Sequence, residues 1–453
     1  MLLPRTEHHD DRFMNTPGLT PMPAAYRTAL TAFMSCLALT LLALLDVRRG
    51  FLFADYPVRT LFFVFTPSHA LMLAAGVAGM RWSYRALRSQ ETQVHEASRL
   101  IRVLTFSILA MLVIDLFAYR GVPAARSIAA GRVNLDWIRA FGVTAWWKPI
   151  AQATSYLLNV WHATMLGLLI SGLALTILPV YFAPYIARRG FTGSLFGALF
   201  ALPQPFCSCC SSVMALPLVR RGASTTFLLS FVLGAPMLNI TTITLAVALL
   251  PLPFAVTRIL AGLVVTILAT HVVARVADRW DRPEVAMSST TLDTTRTPNW
   301  IQKIGDVYLR LFDLDRLMRE GPVKTPSQLF SRWLSVSGRL ALVLVPTLWV
   351  WSVIASAVFQ ALPSAFGNNL PSVVLAAFGG TFFMISTWSE IPMALELIQA
   401  GYNGPAAALL VVLPAISLPC MMLLGGSLRR FRMVALLSAA VMVVGVVAGA
   451  MFL

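Results

Sequence analysis

The sequence predicts an all-α fold, a polytopic membrane protein with about nine spans plus two re-entrant broken segments arranged as an inverted repeat. Three observations carry that prediction. Of the 453 residues, 58% are hydrophobic and only 12% charged, where a soluble domain carries about 25% charge. Apolar runs of about 20 residues, the length that crosses a bilayer, recur along the chain. Two less regular apolar stretches, 191–219 and 371–399, are flanked in ways that a single crossing does not satisfy. The formal net charge of +16 would point to nucleic acid in a polar protein. Here many of the charges flank apolar runs, where a basic excess orients helices and holds anionic lipid, and nucleic-acid binding is set aside.

In chain order, residues 1–25 are polar, with no small-residue cleavage pattern after an apolar core, and read as a cytoplasmic tail. Spans are expected at 26–46, 59–80 and 101–119, which with the loop to 153 form an N-terminal membrane region, 26–153. A first permease repeat, 154–274, holds spans at 154–181, 224–250 and 254–274 around the segment 191–219. That segment lies between Arg188–Arg189 and Arg220–Arg221. One crossing would put a basic pair outside, so the positive-inside rule makes it a hairpin that enters and leaves at the cytoplasmic face. From there 224–250 runs outward, Pro251 to Pro253 turn the chain, and 254–274 returns.

Residues 275–337 then form a cytoplasmic linker, with ten basic and eight acidic residues between Arg275 and Arg332 and an amphipathic run, VYLRLFDLDRLMR, suited to a surface helix. The second repeat, 338–453, has spans at 338–360, 405–427 and 433–453. Keeping RRFR at 429–432 cytoplasmic forces 371–399 to enter from the outside, opposite to its counterpart. One loop runs against the rule: 120–153 would be external, yet holds five basic residues against Asp136.

Aligning Gly222 with Gly401 pairs Cys209 with Trp388 and, after a one-residue gap, Pro236 with Pro414 and Asn239 with Ser417. Each half thus reads as a broken segment, a glycine turn, a small-residue span, a proline break and a polar residue. Proline removes a backbone donor and frees a carbonyl, which lipid cannot satisfy. Breaks at Pro203, Pro205, Pro236, Pro414 and Pro419 therefore mark either packing kinks or the wall of a permeation site.

The densest chemistry is FALPQPFCSCCSSVMALPLVRRGAS. Cys207 and Cys210 fall one helical turn apart, whereas extended backbone puts Cys207 and Cys209 on one side. Either geometry brings two sulfurs to one soft atom. Thiolate prefers copper(I), zinc, mercury(II) or trivalent arsenic to hard ions, so a soft metal or metalloid held by Cys207, Cys209 and Cys210 as transported solute is one reading. Three buried thiols acting as small hydrophobes is another, and thiol exchange a third, although the spacing is not C-x-x-C. Gln204, Ser208, Ser211 and Ser212 either solvate a substrate or bond local carbonyls. Cys36 and Cys420 lie singly in apolar segments and read as packing residues.

Further along, Asn239 and its counterpart Ser417 are candidate solute contacts. Glu390 is a candidate for proton coupling or for a counterion, because a carboxyl in lipid is costly without a partner or a use. Asp115 is a second candidate for proton coupling, the structural alternative being a pair with an arginine such as Arg120. Asn159 and His162 are three residues apart and share a helix face with Tyr156, to line a pathway or to bond a facing helix. No phosphate-binding P-loop, H-E-x-x-H or serine elbow is present, so neither an enzyme nor a cofactor is expected.

The stretches CSCCSSVMALPLVRRGAS, FVLGAPMLN and WSEIPMALELIQAGYNGPAAALLVVLPAISLP resemble the predicted permease family that contains the bacterial trivalent organoarsenical efflux permeases, from about residue 154 onward. Cys207, Ser208, Cys209, Arg220, Gly222, Ala223 and Ser224 fit its first-half pattern, while Cys210 stands where that pattern has glycine and Val213 where it has proline. Glu390 and Pro392 fit its second-half pattern. The resemblance implies a multi-pass permease of the bacterial inner membrane, with Cys207 and Cys209, joined by Cys210, handling a soft or thiol-reactive solute such as a trivalent organoarsenical. The alternative is a membrane thiol oxidoreductase or electron carrier built on the same cysteines.

Overall fold

A computed structural model describes residues 23–53, 57–60, 62–90, 98–130, 147–181, 183–202, 208–220, 222–280, 323–361, 367–381, 390–428 and 430–453. Cys207, Gln204 and the expected amphipathic run at 307–319 lie outside the described residues, as do the side chains of Cys209 and Cys210. Within them the protein is helical apart from a two-residue-per-strand hairpin, β1 (Val58–Arg59) against β2 (Val64–Phe65). It is an all-α, multi-span membrane protein: eight helical stretches among the described residues are long and apolar enough to cross a bilayer.

The N-terminal helices are α1 (Ala24–Arg49), α2 (Pro67–Ser89) and α3 (Ser98–Ala130). Tyr26, Leu30, Phe33, Leu37 and Leu41 recur at helical spacing along α1 and are buried. Gly50 ends the helix in the left-handed conformation, φ 64°, with Arg48 and Arg49 in the last turn, where cations suit the dipole. The span expected at 59–80 departs from the structure. The hairpin occupies its first residues, and α2 starts only at Pro67, behind a capping box of Thr66 and His69, and continues through Arg81, Arg85 and Arg88. Shortened at one end and charged at the other, α2 is not one of the eight spanning stretches.

The next helices are α4 (Lys148–Tyr181), α5 (Ala183–Ile186), α6 (Gly190–Ala201), α7 (Ser208–Arg220), α8 (Thr225–Met237) and α9 (Ile240–Leu249). The following span joins α10 (Leu252–Leu263) to α11 (Thr270–Trp280) through a π-turn at Val264–Ala269. After 281–322 come α12 (Pro326–Ala361), α13 (Leu370–Gly380), α14 (Glu390–Gln399), α15 (Asn403–Ala415), α16 (Leu418–Leu428) and α17 (Phe431–Ala450). Helix α12 begins before the span expected at 338 and lies antiparallel along α4. Trp333 Nε1 donates to the Leu169 carbonyl at 2.7 Å, and Trp349 Nε1 to Thr154 Oγ1 at 3.1 Å.

Helices α8 and α15 are buried on every side, from Thr226 to Met237 and from Gly404 to Ala415, as befits apolar helices at the centre of a bundle. Small residues let their neighbours approach. A Cβ on Gly449 of α17 would collide with Val373 of α13 and meet Ala408 of α15 at 3.1 Å. On the outside, Leu71, Trp82, Val103, Phe106, Leu342 and Val443 are exposed apolar side chains; a bilayer is the solvent that suits them.

Two local features occur once in each half. Gly222 and Gly401 follow α7 and α14 with φ of 83° and 84°. Each turn makes the same pair of bonds: Gly222 N to Val219 O with Ala223 N to Leu218 O, and Gly401 N to Ile398 O with Tyr402 N to Leu397 O. These are Schellman turns, which satisfy the last helical carbonyls. The first amide of α9, Ile240 N, donates to the Leu202 carbonyl closing α6 at 3.1 Å; the first amide of α16, Leu418 N, donates to the Thr381 carbonyl closing α13 at 2.8 Å.

No neighbouring atom lies within 4 Å of a Cβ built on Gly222 or Gly401, so substitution there tests backbone strain alone. Gly→Ala at either position is expected to cost about 1–2 kcal/mol. Gly→Asn, which tolerates the left-handed region, should cost less and Gly→Val more, in the same order at both sites. Thermal midpoints of the purified full-length protein in detergent check this; an equal response to Asn and Val would refute it.

Candidate functional site

Proline inside α8 and α15, at Pro236 and Pro414, precedes a break in each. At the first break several freed carbonyls find side-chain partners, as buried peptide groups require: the Val232 carbonyl, four residues before Pro236, accepts from Ser211 Oγ at 3.0 Å. Asn239 caps α9: its Oδ1 accepts from Thr242 N at 2.8 Å and from Thr242 Oγ1 at 2.7 Å, while its Nδ2 donates to the Ala235 carbonyl at 2.8 Å. The Met237 carbonyl, left without a helical amide, accepts from Arg258 Nη1 at 2.9 Å.

Arg258, on α10, is wholly buried and its Nη2 lies 2.7 Å from Oε1 of Glu390, equally buried. Glu390 is the first residue of α14, where a carboxylate also suits the helix dipole. One guanidinium thus ties the broken end of α8 to the start of α14, joining the halves. Sequence reasoning missed Arg258, although the signal was present: a single arginine within PLPFAVTRILAGLVV, where an ionisable residue at membrane depth demands a partner.

At the second break Ser417 Oγ donates to Cys420 Sγ at 2.9 Å, and Cys420 Sγ donates to Ser208 Oγ at 3.3 Å. Ser208 opens α7 and Cys420 lies in the first turn of α16. The three are buried, with exposures of 5% or less. The structure therefore brings the start of the C-S-C-C run to the second half's break. Ser212 Oγ donates to the Ser208 carbonyl at 2.7 Å, while Ser211 Oγ is shared between the Ser208 carbonyl and the Val232 carbonyl of α8, each at 3.0 Å.

Asn159, His162 and Asp115 form a separate cluster where α1, α3 and α4 meet. His162 Nε2 lies 3.0 Å from Asp115 Oδ1, both buried. The partner of Asp115 is this histidine, while the side chain of Arg120 lies outside the described residues. Asn159 Oδ1 accepts from Arg48 Nη2 at 2.6 Å, and its carbonyl accepts from Tyr119 Oη at 3.2 Å. Arg49 stacks over the Tyr119 ring at 4.3 Å and donates to the Tyr119 carbonyl. A second buried pair, absent from the sequence reading, joins His69 Nε2 to Asp46 Oδ2 at 2.7 Å. Because Thr66 N donates to His69 Nδ1, the proton of the neutral ring sits on Nε2, facing Asp46. Among the described residues no group of three or more His, Cys, Asp or Glu side chains is arranged to hold a metal ion.

Comparison with known proteins adds family context to this geometry. The ArsP_1 family model, described as a predicted permease, matches residues 149–453. UPF0718 protein YraQ of Escherichia coli (strain K12) is 29% identical over 314 residues, covering 68% of this chain and 82% of that protein. UPF0718 protein MJ0584 of Methanocaldococcus jannaschii is 28% identical over 107 residues, 22% of this chain and 29% of that protein. No solved structure matches.

The Arg258–Glu390 pair yields a test of coupling. Arg258→Met leaves a buried carboxylate without its guanidinium and the Met237 carbonyl without its donor, and is expected to cost about 3–5 kcal/mol. Combining it with Glu390→Leu removes the stranded charge and should recover much of that loss. Thermal unfolding of both single variants and the double variant in detergent measures the recovery. A double variant no more stable than the worse single one would show that the two side chains are not coupled.

Proposed function

The chain belongs to the ArsP_1 family of predicted permeases, and we propose that it is a secondary permease of the bacterial inner membrane that exports a soft, thiol-reactive solute of the trivalent organoarsenical class. The observation that carries this reading is the meeting of two helix starts in the buried interior: Ser208, between Cys207 and Cys209, against Cys420 and Ser417. Broken helices at membrane depth are tolerated where protein or a water-lined path satisfies them, and facing half-helices are how secondary transporters build a solute site. Soft thiol chemistry selects the solute.

In this reading the repeats 154–274 and 338–453 are inverted copies on either side of the cytoplasmic linker 275–337, and the segments 191–219 and 371–399 enter from opposite faces. The paired Schellman turns and the paired amide bonds from Ile240 and Leu418 support it. Alternating access is then a rocking of one repeat against the other about the site. Release requires reversible binding, so sulfur ligands must exchange as the site opens. Gln204, Cys210 and Asn239 are the further candidate solute contacts, while Asn159 and His162 lie in the separate cluster with Asp115.

Of the two acids considered for proton coupling, Asp115 is the better placed. Glu390 is held by Arg258, so protonating it would strand a buried guanidinium. Asp115 Oδ2 and His162 Nδ1 are buried with no hydrogen-bond partner among the described residues, so neither atom is committed to another group.

Everted membrane vesicles containing the full-length protein should accumulate methylarsenite, more so with an acidic interior, and Cys209→Ser should lower uptake at least tenfold. Asp115→Asn should keep exchange of labelled solute but lose the stimulation by the gradient. Absence of uptake where a known exporter accumulates the same compound would sink the arsenical reading. Gradient stimulation that survives in Asp115→Asn would remove Asp115 from the coupling.

A further inference from the structure

Resting on that transport reading, we infer that the span Leu252–Arg279 carries both gates of the transport cycle, an ion pair to the second half at each end with a π-turn between them. The outer gate is Arg258 with Glu390, and the inner gate is Asp278 with Arg430. Both pairs join the first half to the second, and both start from this one span.

The span runs antiparallel along α17. Phe254 stacks on Phe452 at 4.2 Å near one end, and at the other Asp278 Oδ1 lies 3.1 Å from Nη1 of Arg430, the residue before α17. Arg258 and Asp278 are 20 residues apart, which at a helical rise of about 1.5 Å per residue is about 30 Å, the thickness of the hydrocarbon core. Cys420 is ten residues before Arg430, mostly along α16, and so about 15 Å in. The broken-helix site therefore lies between the gates.

Midway between them the span departs from a regular helix. A π-turn occupies Val264–Ala269, whereas α17, its counterpart in the second half, is α-helical from Phe431 to Ala450. Such turns loosen the i to i−4 ladder and recur at functional positions in helices. Within this one Thr266 Oγ1 is wholly buried with no hydrogen-bond partner among the described residues. The π-turn lets one end of the span swing while the other stays clasped.

The gates differ in strength, and the difference suits export. Both side chains of the outer pair are 0% exposed, while in the inner pair Arg430 is 33% and Asp278 61% exposed. An exposed pair holds weakly and is screened by salt, whereas parting a buried pair strands two charges until water reaches them. In the orientation that keeps RRFR cytoplasmic, the weak gate faces the compartment from which an exporter loads. The strong gate keeps the external side shut until the loaded halves rearrange.

Cys420, 4% exposed and between the gates, reports access to the site. Everted and right-side-out vesicles holding the full-length protein are treated with a membrane-impermeant methanethiosulfonate, and labelling of Cys420 is followed by peptide mass spectrometry. Asp278→Asn is expected to speed labelling about threefold in everted vesicles and to leave right-side-out vesicles unchanged. Salt at about 1 M, where the Debye length is about 3 Å, should do the same to the wild type and add nothing to Asp278→Asn. The swap of Asp278→Arg with Arg430→Asp should return the wild-type rate. Arg258→Met with Glu390→Leu should instead speed labelling in right-side-out vesicles. Labelling that is unchanged in every variant, or faster from the opposite side, in vesicles that still accumulate methylarsenite overturns the gates and leaves the transport reading standing. Wild-type vesicles that neither accumulate methylarsenite nor label at Cys420 from either side overturn both.

Discussion

Peptide groups freed by a helix break have no water to turn to in a bilayer, and the organisation of this protein follows from how its breaks are satisfied. Pro236 and Pro414 interrupt two helices that are enclosed on all sides. Asn239 and Arg258 take the carbonyls of Ala235 and Met237, and the closing carbonyls of α6 and α13 take the first amides of α9 and α16. Each of these bonds fixes where the next element starts. The breaks are thus built positions, and they hold the start of α7 against the first turn of α16.

Arg258 carries more than one part of this arrangement. Its guanidinium serves a carbonyl from the first half and a carboxylate from the second, the two nitrogens of its fork being used separately. A buried ion pair of this kind adds little net stability over a well-packed apolar alternative, because desolvation offsets most of the attraction. What it does enforce is register: the halves dock with Glu390 at Arg258 or they strand a charge.

Much of this architecture is legible in the sequence because it is local. Apolar length marks α1, α4 and α17; Gly222 and Gly401 announce their turns; Pro236 and Pro414 announce the breaks. The span at 59–80 was misplaced because the hydropathy of LFFVF extends the apolar run into what the backbone makes a hairpin before Thr66 and Pro67. Long-range pairing is different. Nothing in the neighbourhood of Glu390 names Arg258, 132 residues away, and nothing near Cys420 names Ser208, 212 residues away. Asp115 was a candidate for proton coupling or for a pair with an arginine; the structure places His162 beside it, on the next helix and at no fixed spacing. Sequence patterns report which groups need partners, and only the packing says which groups meet.

The N-terminal helices show the same logic applied to an attachment. The matched family region starts at residue 149, and α4, its first helix, meets α1 and α3 through Asn159 with Arg48 and through His162 with Asp115. Lipid tails are as apolar as leucine, so apolar contact alone gives neighbouring membrane helices little reason to choose one rotation over another. Buried hydrogen-bonded charges supply that choice, since rotating α4 would leave Asp115 and Arg48 without their partners. The Asn159–Arg48 and His162–Asp115 contacts therefore fix the rotation at which the N-terminal helices dock on α4, the helix with which the family region begins.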